Sequence, residues 1–80
     1  MTENANPNVL SQWVVYDHPS DYPQHFVVRR WSWSREEGIQ PSHDCSLHHT
    51  LEDARAAIPD GLFRLPRHAY DDPVILEVWI

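Results

Sequence analysis

Residues 12–33 read QWVVYDHPSDYPQHFVVRRWSW, two β-branched and aromatic runs on either side of a stretch dense in proline and aspartate. Valine and the aromatics suit a pleated, half-buried surface, so Gln12–Tyr16 and His25–Trp33 are expected as strands. Asp17–Pro23 between them holds two prolines and two aspartates in seven residues, the composition of a rigid turn or loop. A connection that short has no room for a parallel crossover, so the two strands should pair antiparallel.

Working outward, Ser34–His43 reads as a polar connection punctuated by Gly38 and Pro41, and Cys45–His49 as a short extra strand. The next segment has helical features. Thr50 is a natural N-cap, Asp53 follows three residues later as in a capping box, and Glu52 and Asp53 put negative charge where the helix dipole favours it. Leu51, Ala54, Ala57 and Ile58 share one face. Pro59 and Gly61 end the helix after about two turns, too short to persist in water without packing. Leu62–Pro66 is an apolar connection with room for a short extended piece, Asp71-Asp72-Pro73 is a turn, and Val74–Ile80 is the last strand. The expected fold is α+β: a small, mostly antiparallel sheet of three to four strands with one short helix on one face, in the order β-β-(β)-α-β. Residues 1–8 hold all three asparagines and Pro7 and read as a disordered tail, leaving 9–80 as a single domain.

Composition sets further bounds. Twelve acidic residues face six basic ones, all arginine, for a net charge of −6. That sign gives no general attraction to nucleic-acid phosphates or to an anionic membrane surface. Protonating all six histidines would bring the formal charge from −6 to 0, implying lower solubility on mild acidification. The single Cys45 can form no internal disulfide, and a small chain without disulfide staples suits a reducing compartment, so a cytoplasmic location is expected. No run of about 20 apolar residues is available to span a bilayer, and MTENANPNVL lacks the features of a signal peptide.

Successive strand residues point to opposite faces. Sorted by parity alone, Val14, Tyr16, Phe26, Val28, Val74, Leu76, Val78 and Ile80 form an apolar set that matches the helix face and is expected as the core. The complementary set holds Trp13, Val15, Val27, Arg29, Trp31, Trp33, Ile75, Glu77 and Trp79, including all four tryptophans and an Arg–Glu pair able to meet across strands. One short helix cannot cover both faces, so this second set is expected either as a partner surface or as a minor core under residues 9–10 and 34–49. The candidate partner-binding residues are therefore Trp13, Arg29, Trp31, Trp33, Glu77 and Trp79.

Other constellations are weaker. His43, Cys45 and His48 include a C-x-x-H spacing usable for zinc, but without a second ligand pair at standard spacing. A Cys45–His nucleophile would need partners that converge from separate elements, and Asp44 is a poor neighbour for a thiolate. Asp17, Asp21, Asp71 and Asp72 could cluster if the last strand lies antiparallel beside the first, though aspartates in such loops ordinarily cap turns. The chain's two glycines, Gly38 and Gly61, make no phosphate loop. Arg29, Arg30, Trp31 and Trp33 interleave bases with aromatics, as in a single-strand-binding sheet, against the opposing net charge.

Taken together, WVVYDHPSDYP (13–23) with FVVRRW (26–31), TLEDARAAIP (50–59) with the GL and RLPR that follow it, and DDPVILEVWI (71–80) resemble a group of short hypothetical proteobacterial proteins over about residues 12–80. The resemblance implies a bacterial, cytoplasmic origin and supplies no activity or catalytic residue. The expected function is a non-enzymatic protein-interaction or self-association module acting through the tryptophan-bearing face, with a protein partner or a second copy, no cofactor, no membrane and no nucleic acid. Two alternatives stand beside it: a small metal- or ligand-binding protein using segment 43–49, and an acidic regulator encoded by a phage or mobile element that blocks a nucleic-acid-binding partner.

Overall fold

A computed structural model describes residues 9–65 and 73–80. The expected tail at 1–8 and the Asp71-Asp72 turn lie outside the described residues. The elements are β1 (Val9–Asp17), β2 (Phe26–Ser34), β3 (Gly38–His48), α1 (Leu51–Ala56), β4 (Arg64–Leu65) and β5 (Ile75–Trp79). They form one five-stranded sheet in the order β3-β2-β1-β5-β4, every neighbouring pair antiparallel. The class is α+β with one short helix, as the residue pattern implies, but with more strands than the three or four expected. No helix among the described residues is long and apolar enough to cross a membrane.

The additional extent comes from β3, which starts at Gly38 rather than Cys45. Ser34–Gly38 closes a tight hairpin. The Ser34 Oγ accepts from the Glu37 amide at 3.0 Å, the Gln40 side chain donates to the Glu37 carbonyl at 3.1 Å, and Gly38 takes the left-handed conformation at φ 71°. Pro41 sits inside β3 opposite Trp31, a position open to proline because β3 is an edge strand. Between Trp31↔Pro41 and Arg29↔Cys45 the edge strand carries extra residues, and the Arg29 guanidinium donates to the Ser42 carbonyl in that bulge at 2.7 Å.

The helix is capped as expected: Thr50 Oγ1 accepts from the Asp53 amide at 3.1 Å. Its Ala54 is fully buried, and Ala54 and Ile58 form the core with Val15 and Val28. Trp13, Phe26, Leu51, Leu62, Leu76 and Trp79 pack around that cluster.

This core differs from the one parity alone suggests. In the β1–β2 ladder every pair couples an odd with an even residue, Val15 opposite Val28 and Trp13 opposite Arg30, whereas β1–β5 couples like with like, Trp13 opposite Trp79 and Val15 opposite Glu77. The helix side therefore takes Trp13 and Val15 from β1, Phe26 and Val28 from β2, and Glu77 and Trp79 from β5. A bulge at Val15/Tyr16, where Glu77 pairs with Val15 but Ile75 with Tyr16, leaves Leu76 as the extra residue and brings it onto the helix side as well. Val14, Tyr16, Val78 and Ile80, expected as core, lie on the other face.

Candidate functional site

Cross-strand pairing assigns each candidate partner-binding residue to a face. Trp13, Glu77 and Trp79 lie on the helix side. Arg29, Trp31 and Trp33 lie on the far side. The four tryptophans are thus split two and two.

Glu77 is buried, and its carboxylate ties three elements together. Arg55 of α1 donates through Nε to Oε1 at 3.2 Å and to Oε2 at 2.9 Å, with its Nη2 also on Oε2; Trp79 Nε1 donates to Oε1 at 3.0 Å and Arg64 of β4 reaches Oε2 at 3.4 Å. The cross-strand partner imagined for Glu77, Arg29, is on the opposite face; the arginines that meet it come from the helix and the edge strand. Burial pushes the Glu77 pKa up, but the hydrogen bonds from Arg55 and Trp79 and the charges of Arg55 and Arg64 outweigh it and hold the carboxyl below its ordinary value. The same pairing raises Arg55. Trp79 and Glu77 are therefore structural: each occupies the other's hydrogen-bonding capacity beneath the helix.

The far side is different in kind. Among the described residues no helix packs on it. Gln12 faces Trp31, Leu10 faces Trp33, and on the other flank Trp33 faces Ile39. Val27 faces Leu47, Val78 faces Leu65, and Ile80 exchanges backbone hydrogen bonds with Phe63 at 2.7 and 2.9 Å. Its centre is closed by its own side chains: Trp31 Nε1 donates to the Tyr16 hydroxyl at 2.9 Å, a diagonal bond spanning the Val14–Arg29 pair, and Val14 and Val27 are buried. Its periphery is open. Leu10, Trp33, Ile39, Leu47, Phe63, Leu65 and Ile80 are the exposed large apolar residues among those described, and cross-strand pairing places all seven on this one face. Five of them, Ile39, Trp33, Leu10, Ile80 and Phe63, run across the strands at one end. A groove of about 360 Å³ opens there between Leu10, Gln12, Trp31, Trp33, Ile39 and Ile80.

Most of this periphery escapes a reading of parity. Ile39 falls in a segment that looks like a polar loop, and Leu10, Leu47, Phe63 and Leu65 flank the recognisable strand runs. The available signal was the hairpin chemistry of Ser34–Gly38, which extends β3 back to Gly38 and puts Ile39 opposite Trp33.

The expected ligands of segment 43–49, His43, Cys45 and His48, are not brought together among the described side chains. Cys45 lies opposite Arg29 and His48 opposite Phe26, so alternation sends them to opposite faces, and His48 Nε2 is engaged by Ser46 Oγ at 2.7 Å. The side chain of His43 lies outside the described residues. No group of three or more His, Cys, Asp or Glu is disposed to hold a metal ion among the described residues. Of the four aspartates considered as a cluster, Asp17 is engaged with His18, and Asp71 and Asp72 fall outside the description. The last strand does lie antiparallel beside the first, with the Asp17 amide donating to the Val74 carbonyl at 2.7 Å.

The chain matches no protein-family model, no curated protein and no solved structure.

Proposed function

We propose that this protein is a non-enzymatic self-association module in which two copies pair through the sheet face opposite α1. One observation carries the reading: all seven exposed large apolar side chains among the described residues share that face. Contiguous apolar surface of this kind is unusual on a monomer and typical of an interaction site.

Size and charge favour a second copy as the occupant. Five strands about 4.8 Å apart, of nine, nine, eleven, two and five residues at about 3.3 Å each, span a face of roughly 600 Å². Two such faces bury about 1,200 Å², the lower bound of a specific interface, which suits a reversible dimer. A chain of net charge −6 repels its own copy except where it carries no acid. Among the described side chains, Arg29 is the one charged strand residue that the pairings place on this face, and its guanidinium is already turned to the Ser42 carbonyl. Asp21 also reaches this face, where it lines a pocket beside Arg29 and Trp31, so a two-fold pairing would set few acids against one another.

The test is a Leu10→Glu/Ile39→Glu double variant. Both residues are well exposed, so the fold should survive with a melting temperature within a few degrees of the parent. Sedimentation should show it monomeric at concentrations where the parent is paired, while Arg30→Glu on the helix side pairs like the parent. A double variant that keeps the parent's association with its fold intact would overturn the reading.

A further inference from the structure

Of the four histidines whose side chains are described, two are already engaged: His18 Nδ1 with the Asp17 carboxylate and His48 Nε2 with Ser46 Oγ. The other two, His25 and His49, meet each other with ring centroids 5.2 Å apart and planes inclined at 41°. Among the described residues neither imidazole has a hydrogen-bonding partner.

Their meeting is fixed by the backbone. Phe26 pairs with His48 at the end of the β2–β3 ladder, so the next residues outward, His25 and His49, are set across from each other. Both are anchored on their other side. The His25 amide donates to the Tyr22 carbonyl at 3.2 Å and its carbonyl accepts from the His18 amide at 3.0 Å, closing the proline-braced loop, while His49 directly precedes the Thr50 cap of α1. The two rings are therefore held as a pair by elements that cannot drift apart without breaking the ladder.

We infer that His25 and His49 form a two-imidazole site for a late first-row divalent cation such as zinc. Imidazole is a preferred ligand of such ions. With a metal–nitrogen distance of about 2.0–2.1 Å and about 1.1 Å more to the ring centre, each centroid lies about 3.2 Å from the ion, and a tetrahedral angle then puts the two centroids about 5.2 Å apart. That is the separation found. Two further coordination positions fall to water, which makes this an open, exchangeable site rather than a closed structural one. It lies at the opposite end of the β2–β3 ladder from Trp33 and Ile39, so it stands or fails independently of the self-association face.

The experiment titrates zinc chloride into the full chain by calorimetry, with thermal melts in parallel, on the parent and on His25→Ala, His49→Ala and His48→Ala. One zinc per chain should bind the parent and raise its melting temperature. His25→Ala and His49→Ala should weaken binding at least tenfold, while His48→Ala leaves it unchanged. Melts without metal check folding; His49 is exposed, so His49→Ala decides the matter should His25→Ala be unstable. A parent that binds no zinc up to millimolar concentration, a His49→Ala that binds as tightly as the parent, or loss confined to His48→Ala would each overturn the assignment.

Discussion

Glu77 shows how much one side chain can organise in a domain this small. It is an acid on the inner face of a sheet, where an unpaired charge would be severely unfavourable, yet every direction from its carboxylate is met by a donor. Because Arg55 and Arg64 remain more than two-fifths exposed, solvent screens the attraction, and Glu77→Gln should cost only about 1–2 kcal/mol at neutral pH. The pH dependence has a definite sign. A carboxyl with a folded pKa below its unfolded value contributes stability that is complete above the ordinary glutamate range and is lost as pH falls through the lowered folded pKa. Urea midpoints of parent and Glu77→Gln should therefore differ most at pH 6–7 and draw together only as pH falls below the lowered folded pKa, where both carry a neutral side chain. A difference independent of pH would mean that Glu77 acts by packing alone. The sequence marks Glu77 as a charge inside a strand but says nothing of its partner, because Arg55 is 22 residues away on an element whose docking side depends on register.

At the scale of elements, the parts that local chemistry dictates are the parts a sequence reveals. The Thr50 cap, the proline-braced loop after β1 and the antiparallel pairing of β1 with β2 follow from residues close in the chain. The assignment of faces does not. Val14-Val15 and Val27-Val28 are apolar at both parities, so either phase of β2 against β1 buries valine, and only the length and path of the Asp17–His25 loop selects the observed one. Choosing the other phase gathers four tryptophans on one face, whereas the ladder separates Trp13 and Trp79 from Trp31 and Trp33. The bulge that returns Leu76 to the core is equally invisible to strict alternation. β3 was legible in principle through Gly38, whose φ of 71° makes the Ser34–Gly38 turn possible. A Cβ there would meet nothing within 4 Å, so Gly38→Ala carries a conformational penalty alone, and thermal or urea unfolding should show a loss of about 1 kcal/mol. A neutral or stabilising substitution would show that this turn relaxes to another type.

The whole molecule has two unlike sides. Under the helix lie the core cluster and the Arg55–Glu77–Trp79 network; on the other side lies a sheet surface whose centre is sealed by the Tyr16–Trp31 hydrogen bond and whose periphery holds the exposed apolar residues. A domain of this size has little core to spare, and leaving that much apolar surface open is costly unless something covers it. The proposed self-pairing would cover it with few acids across the contact. The most direct test is sedimentation equilibrium of the unmodified chain from about 1 µM to 1 mM, the range in which interfaces at the small end of the specific class exchange. The average mass should climb with concentration from the 9.4 kDa of one chain toward twice that value and level off there. A mass that stays at 9.4 kDa throughout, or that rises without a plateau, would contradict a two-fold pairing of this face.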